Sequence, residues 1–581
     1  RMSAPRLTRI AGALAEAAPV PDASLYEMAR VGDQRLLGEV IRIRGDVATL
    51  QVYEETDGLA TGAAVELTGA GLTVPLGPGL LGAILDGLGR PLETLARQGG
   101  DHIRPGVDAP TLDPARRWEF QAVLAAGGLI TGGTVLGEVR ERPGFTHRIL
   151  VPPGVSGRLT ELRSGAFTAH EPIGTTDTGQ ALSLAHSWPV RVPRPVAARA
   201  ATSRPFITGQ RVFDLLFPLA EGGVVALPGG FGTGKTVIEQ SLAKHAEADV
   251  IVYIGCGERG NEMAELLDEL PALVDPRTGR SIMDRTVMVV NTSNMPVAAR
   301  EASVYVGVTI GEYFRDQGYR VAVLADSLSR WAEALREIGA RLGEMPGEEG
   351  YPTYLGTRLA QFYERAGTVR CAGTPEREGA LTMVTAISPP GGDLSEPVTQ
   401  ATLRVVGGLW ALDAALAHQR QFPAVDWETS WSLYVDRVTP WFDQAVGGGW
   451  GVLRGAALAL LQEGKDRQEI ADLVGTDALQ DEDRLVLHSA RTLRELVLGQ
   501  SAFDPNDWNS PVEKTWRLAR AALALHRAAL ERLRAGIRLE ELDLAGPARL
   551  LLAARNAPAA DWPAHAATLE RLTTGTAPVT V

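Results

Sequence analysis

Gly229-Gly230-Phe231-Gly232-Thr233-Gly234-Lys235-Thr236, entered from the apolar run Val224-Val225-Ala226-Leu227, is the stretch on which the fold turns. A strand, a loop of the form G-x-x-x-x-G-K-[ST] and a helix-compatible continuation make a phosphate-binding unit. The glycines let the backbone wrap a phosphate, while its N–H groups and the helix N-terminus supply positive potential. Lys235 is placed to reach the β- and γ-phosphates, and the Thr236 hydroxyl to ligate Mg²⁺. Composition sharpens the motif. Among 57 basic residues, lysine occupies four positions, Lys235, Lys244, Lys465 and Lys514. A lysine at the one place the motif demands it is therefore informative. A compact ammonium on a thin stem also enters such a loop where a planar guanidinium does not.

Outward from this loop, buried-strand runs recur: Val250-Ile251-Val252-Tyr253-Ile254, Val287-Met288-Val289-Val290, Val321-Ala322-Val323-Leu324 and Leu381-Thr382-Met383-Val384. They alternate with longer helix-compatible stretches, the rhythm of an α/β domain with a mainly parallel sheet. The third run ends in Ala325-Asp326, an apolar strand closing on a carboxylate. Asp326 is placed to hold Mg²⁺, through water.

Hydrolysis needs more than binding: a group must orient the attacking water. Glu258, in Gly255-Cys256-Gly257-Glu258-Arg259-Gly260-Asn261-Glu262-Met263, follows the strand next after the P-loop helix. A carboxylate at the C-terminal edge of such a strand faces the nucleotide crevice. Spacing alone leaves the alternative of a solvated loop Glu or a charge at a helix start.

The flanking segments differ in character. From Leu25 to Val74, short alternating runs broken by Gly45-Asp46 and Asp57-Gly58 fit a small antiparallel barrel. From Leu92 to Arg191 the chain is rich in Gly and Pro with strand-like pieces, a β-rich inserted lobe. After Ser430 the strand signal fades. Trp516, Ala519, Leu523, Leu530 and Leu533 fall at helical spacing, so the last segment reads as helical. The expected domains are 1–74 barrel, 75–190 hinge and β-rich bulge, 191–430 P-loop nucleotide-binding domain and 431–581 helical domain.

A net charge of −13 speaks against a broad nucleic-acid surface. Cys256 and Cys371 stand in no CxxC pair and near no metal-spaced histidine, and read as reduced core thiols. No run approaches the roughly 20 apolar residues that span a bilayer, and Arg1 to Pro19 lacks a signal-peptide core. The expectation is a cytosolic or peripheral protein.

Several of these stretches carry a resemblance. Gly257-Glu258-Arg259-Gly260-Asn261-Glu262-Met263, Asn291 to Ser303, Ser327 to Gly367, Ser388 to Asp393 and Ser395 to Gln400 resemble the catalytic A subunits of vacuolar and archaeal-type rotary ATPases. So do Gly38 to Ile41, Gln51 to Thr56 and Gly77 to Leu81 in the barrel and hinge, and Leu473 to Leu479 and Gln500 to Asp504 in the helical region. The long segment before Ser187-Trp188-Pro189 fits the family's bulge.

The resemblance implies an ATP hydrolase or synthase whose turnover is coupled to H⁺ or Na⁺ translocation, with Mg²⁺ and ATP or ADP bound. It places Lys235 and Arg259 on the terminal phosphates, Thr236 and Asp326 on the metal and Glu258 on the water. Gly229, Gly230, Phe231, Gly232, Thr233 and Gly234 cradle the phosphates. Phe422 and Phe503 flank the adenine, the alternative for each ring being ordinary core packing. The implied partners are B-type non-catalytic subunits in an A₃B₃ ring, central shaft and peripheral stalk subunits and, indirectly, a membrane sector. The implied location is peripheral, at the cytoplasmic face of a membrane. Two departures stand out: Gly230 where relatives often carry Pro, and Gln419-Arg420-Gln421 where they often carry an Arg pair. The rival readings are a non-catalytic ring subunit, which should lack the complete loop or the Glu258-type carboxylate, and a hexameric RNA or protein translocase.

Overall fold

The computed structural model describes residues 4–100, 103–230 and 232–574, and the chain divides into two compact units. The first comprises residues up to 201 with 222–224 and 248–406; the second comprises 202–221, 225–247 and 407 onward.

The first unit opens with a six-stranded antiparallel sheet, ordered Arg6–Ala11, Leu14–Ala18, Val47–Val52, Leu36–Arg44, Glu27–Val31, Val65–Gly71. Bonds from Leu7 N–H to Ala63 O and from Val65 N–H to Pro5 O join its first and last strands into a barrel. Small and β-branched side chains fill the interior, among them Ala15, Ala17, Ala29, Val31, Val40, Ala48 and Val52, which suits a narrow closed sheet. The inserted lobe holds two four-stranded sheets over one core of Trp118, Phe120, Leu136, Ile149, Leu159 and Ile173. Its exit strand His186–Pro189 returns antiparallel to Thr73–Leu76. Not all of the segment read as β-rich is strand: Leu92–Gly99 is a helix, with Glu93 in its first turn, Arg97 in its last and Leu95 buried.

Within the same unit five strands run parallel in the order Ile84–Asp86, Thr286–Thr292, Val250–Glu258, Arg320–Asp326, Glu378–Ile387. All four apolar runs read from the sequence in this region lie in these strands. The helix Val297–Asp316 is buried along almost its whole length. It can approach the sheet because Gly307 and Gly311, one turn apart, face it. A Cβ on Gly307 would lie 2.4 Å from Ile254 Cδ1, and one on Gly311 would lie 3.0 Å from Leu381 Cδ1. The barrel is tied to this helix by Arg191, which donates to Glu39 on a barrel strand and to Glu301 on the helix.

The second unit contains residues 225–228 of the strand Val224–Pro228, the helix Lys235–His245 and a short parallel partner, Gly408–Leu409, flanked by Trp431–Ser432. Beyond Ser432 the described residues form helices, including Val435–Val446, Trp450–Val474, Asp481–Thr492, Val512–Arg534, Ala545–Arg555 and Trp562–Thr574. Phe442, Trp450 and Trp516 stack in sequence with centroids 4.3 and 5.9 Å apart. Of the residues read at helical spacing, Ala519 and Leu523 are buried, and Trp516, Leu530 and Leu533 are half-buried.

Candidate active site

In the second unit the phosphate loop takes its shape from three glycines with different reasons to be glycine. Gly229 has no room: a Cβ would lie 2.5 Å from Thr233 Oγ1 and 3.0 Å from Leu412 Cβ. Gly232 and Gly234 have φ of 77° and 91°, backbone that L side chains rarely adopt. Gly230 is bound by neither limit, since the nearest atom to an added Cβ is 4.0 Å away. The departure from the relatives' Pro thus falls where the loop tolerates a side chain. Phe231 lies outside the described residues.

Thr233 is buried, and its hydroxyl donates to Gly230 O at 2.8 Å, closing the loop on itself. Lys235 Nζ donates to Gly229 O at 2.6 Å and Gly230 O at 3.1 Å. The ammonium therefore lies across the loop at the start of the helix. Phosphate oxygens carry more charge than two carbonyls and are the better acceptors for it. Thr236 is exposed on the first turn of the same helix.

Phe422 belongs to the same surroundings. Its ring edge is 3.7 Å from the point a Cβ on Gly234 would occupy, and the residue remains 44% exposed. Phe503 is 86% exposed. Neither ring is packed in a core, and large exposed aromatics are commonly kept for contact with something else.

In the first unit Glu258 is the last residue of its strand. The parallel register there runs Cys256 to Asn291 and then Glu258 to Thr292, so Gly257 is bulged out, with φ 72°. Such a bulge re-aims the side chain that follows it. A Cβ on Gly257 would lie 2.7 Å from Arg330 Cβ and 2.9 Å from Arg300 Cδ, so two arginine stems pack against the bend. The Glu258 carbonyl accepts from Ser293 N–H at 2.8 Å, and Arg300 Nη2 donates to Ser293 O at 2.8 Å.

Asp326 ends the adjacent strand, in register with Gly255, and is 6% exposed. Arg259 caps the helix Gly260–Ala272, its guanidinium largely exposed and 3.7 Å from Glu262. Arg330, on the helix Leu328–Leu342 that follows Asp326, is held in its charged form by hydrogen bonds to Glu333, to which Glu258 and Glu262 add their charge.

Sequence reasoning did not single out Arg300 and Arg330 beside the Glu258 turn. Each sits inside a quoted stretch, but nothing local distinguishes it from other helical arginines. The thiol of Cys256, one residue before the bulge, is buried and pushed up to about 12, and that of Cys371 to about 11. Both are protonated and unreactive at neutral pH, in line with the reading as reduced core thiols.

Residues 209–432 match the ATP synthase alpha/beta family, nucleotide-binding domain; 7–69 match that family's beta-barrel domain; 109–191 match the alpha/beta subunit barrel-sandwich domain; and 439–542 match the C-terminal domain of V and A type ATP synthase. The V-type ATP synthase alpha chain of Anaeromyxobacter dehalogenans is 56% identical over 563 residues, 97% of each chain. The V-type ATP synthase alpha chain 1 of Clostridium tetani is 53% identical, covering 92% of this chain and 91% of that one. An A-type ATP synthase subunit of Methanospirillum hungatei is 52% identical over 91% of both chains. Among solved structures, the assembled ATPase EscN of the enteropathogenic E. coli type III secretion system shares the fold, with a TM-score of 0.64 at 23% identity over 89% of this chain and 100% of that chain.

Proposed function

The chain belongs to the alpha-chain family of V-type and A-type ATP synthases, and we propose that in it Lys235, Arg259 and Glu258 carry the chemistry while Phe422 and Phe503 hold the base. The family's function is that of the catalytic subunit of a rotary ATPase, in which ATP hydrolysis or synthesis is coupled to ion translocation. It works within a multisubunit complex. Among the described residues no helix is long and apolar enough to cross a membrane. We place the chain at the cytoplasmic face, held there by its partners.

The amides of Gly229 to Gly234 cradle the phosphates. Lys235 neutralises the terminal ones, and Arg259 adds a second cation. Glu258 accepts a hydrogen bond from the attacking water and orients it in line with the γ-phosphorus; in synthesis it stabilises the same water as it leaves. The exposed rings of Phe422 and Phe503 offer stacking faces for adenine.

Mg²⁺ fits the residues available. Thr236 and Asp326 offer a hydroxyl and a carboxylate, the hard oxygen donors it prefers. Among the described residues no group of three His, Cys, Asp or Glu forms a ready metal cage, and an ion held chiefly by phosphate oxygens requires none. When bound, Mg²⁺ neutralises charge on the β- and γ-phosphates.

The partners follow from the same reading: three such chains alternate with three B-type subunits around a shaft, and each neighbour supplies the arginine that completes a site. The isolated chain then binds ATP and turns it over slowly.

The observation that carries the reading is the Lys235 ammonium lying across Gly229 O and Gly230 O at the helix start. Its test is Glu258→Gln in a ring reconstituted with the B-type partner. Turnover is expected to vanish with Mg-ATP affinity nearly unchanged. Undiminished turnover overturns the role given to Glu258.

A further inference from the structure

Phe422 is nearly half exposed, so the packing around its ring does little to fix where it stands. Its backbone is fixed instead. The Phe422 carbonyl accepts from the main-chain N–H of Gln500 at 2.8 Å. Gln500 is 5% exposed, and both ends of its buried amide are used. Its Oε1 accepts from Arg211 N–H at 2.9 Å, and its Nε2 donates to Gly209 O at 2.8 Å. The corner at residues 209–211 that receives it is itself rigid. Gly209 has φ 74°, and Asp214 Oδ2 accepts its N–H at 3.0 Å. Between Gly209 and Arg211, Gln210 donates from Nε2 to Ser241 Oγ at 2.8 Å, on the helix that begins at Lys235, and to Trp508 O at 3.0 Å.

The side chains of Gln210 and Gln500, with the main-chain N–H of Gln500, thus link three parts of one unit: the P-loop helix, the turn carrying Phe422 and the segment running from Gln500 to Trp508. Phe503 lies in that last segment. Hydrogen bonds between buried amides and backbone have strict geometry, and their loss leaves unpaired groups in the interior. They set position where an exposed ring cannot set its own.

We propose that Gln500 is a positioning residue for the nucleotide base: through the 209–211 corner it holds Phe422 at a fixed offset from the phosphate loop, so that base and phosphates are gripped at the correct separation. This rests on the reading of Phe422 as a base-holding residue. The hydrogen bonds of Gln500 go to Phe422, Gly209 and Arg211, outside the phosphate loop, so it governs affinity for the adenosine half of the ligand and not for the phosphate half.

Inorganic tripolyphosphate, which has no base, separates the two. Titration of the full chain with Mg-ATP and with Mg-tripolyphosphate is compared for the unaltered protein, Gln500→Met, Phe422→Ala and Ser241→Ala. Methionine has similar volume without donor or acceptor at the amide positions. Gln500→Met is expected to weaken ATP about tenfold and tripolyphosphate by less than about twofold. Phe422→Ala is expected to do the same. Ser241→Ala, a mild change that cuts the arm to the P-loop helix, is expected to weaken ATP alone by about threefold.

If Phe422→Ala leaves the ratio of the two affinities unchanged, the base-holding reading falls and the inference with it. If Phe422→Ala shifts the ratio but Gln500→Met weakens neither ligand, or both equally, the base-holding reading stands and the role of Gln500 is overturned. If Ser241→Ala has no effect, the coupling to the P-loop helix is overturned.

Discussion

Gly255 pairs in parallel register with Asp326, although about 70 positions of chain separate them. The strand that carries Glu258 and the strand that ends in Asp326 are therefore direct neighbours, and both carboxylates leave the sheet at its carboxyl edge. The bulge at Gly257 then decides where Glu258 points.

That bulge makes Gly257→Ala a sharp test. The new Cβ must avoid Arg330 Cβ and Arg300 Cδ while the backbone holds φ 72°. The turn will shift, and in the water-orienting role proposed for Glu258 a displacement of about 1 Å costs on the order of 100-fold in rate. Steady-state ATPase assays of the reconstituted ring should show kcat reduced on that scale with KM little altered.

The phosphate loop separates glycines by the reason for each. Gly234→Ala forces an L residue to φ 91°, which costs about 1–2 kcal/mol. ATP affinity measured by titration calorimetry should fall roughly tenfold. Gly230→Ala meets open space and should leave the affinity within about twofold.

Arg211 and Asp507 form an ion pair of 2.7 Å with both side chains withdrawn from solvent. The guanidinium also donates to Val497 O and Gly499 O. Breaking such a pair from one side costs about 3–5 kcal/mol, because the remaining charge stays buried. Arg211→Met should therefore lower the denaturation midpoint and raise amide exchange across residues 497–510.

Lys514 gives a pH dependence. Burial, with nearby Arg211, pushes its ammonium down to about 8, while Asp507 and Asp504 pull the other way. In the unfolded chain it titrates near 10.5. Between pH 8 and 10.5 the unfolded state binds more protons, so stability rises with pH across that window and is flat below it. Thermal unfolding of the protein and of Lys514→Met should show their difference shifting from pH 8 to 10.5 in favour of the unaltered chain.

Much of this protein is legible residue by residue. The Val224 run, the loop and Lys235 are contiguous, and their chemistry is local: glycine frees the backbone, lysine supplies charge and the helix supplies its dipole. Each apolar run named in the parallel region is a strand, because a strand buried on both faces has to be apolar throughout. The helix Leu92–Gly99 escapes such a reading because its short, polar sequence, with one buried leucine, sits among glycine and proline. Phe422 and Phe503 come from resemblance alone; nothing in the residues beside them shows that their rings stay exposed.

Residue order alone sets which chemistry is present: a phosphate loop, a carboxylate after one strand, another at the end of a second, and two aromatic residues far downstream. Which of these are neighbours is settled in three dimensions. Strand order depends on hydrogen bonds between segments of similar apolar composition, and chain position does not encode it; the Val250–Glu258 strand lies between strands that both come later in the chain. The bulge at Gly257 appears only when the register of two strands is known. The bonds that join Phe422 to Gln500, Gln500 to Gly209 and Gln210 to Ser241 link residues far apart in sequence. They form only after the chain has folded, when burial leaves each amide no water to bond with.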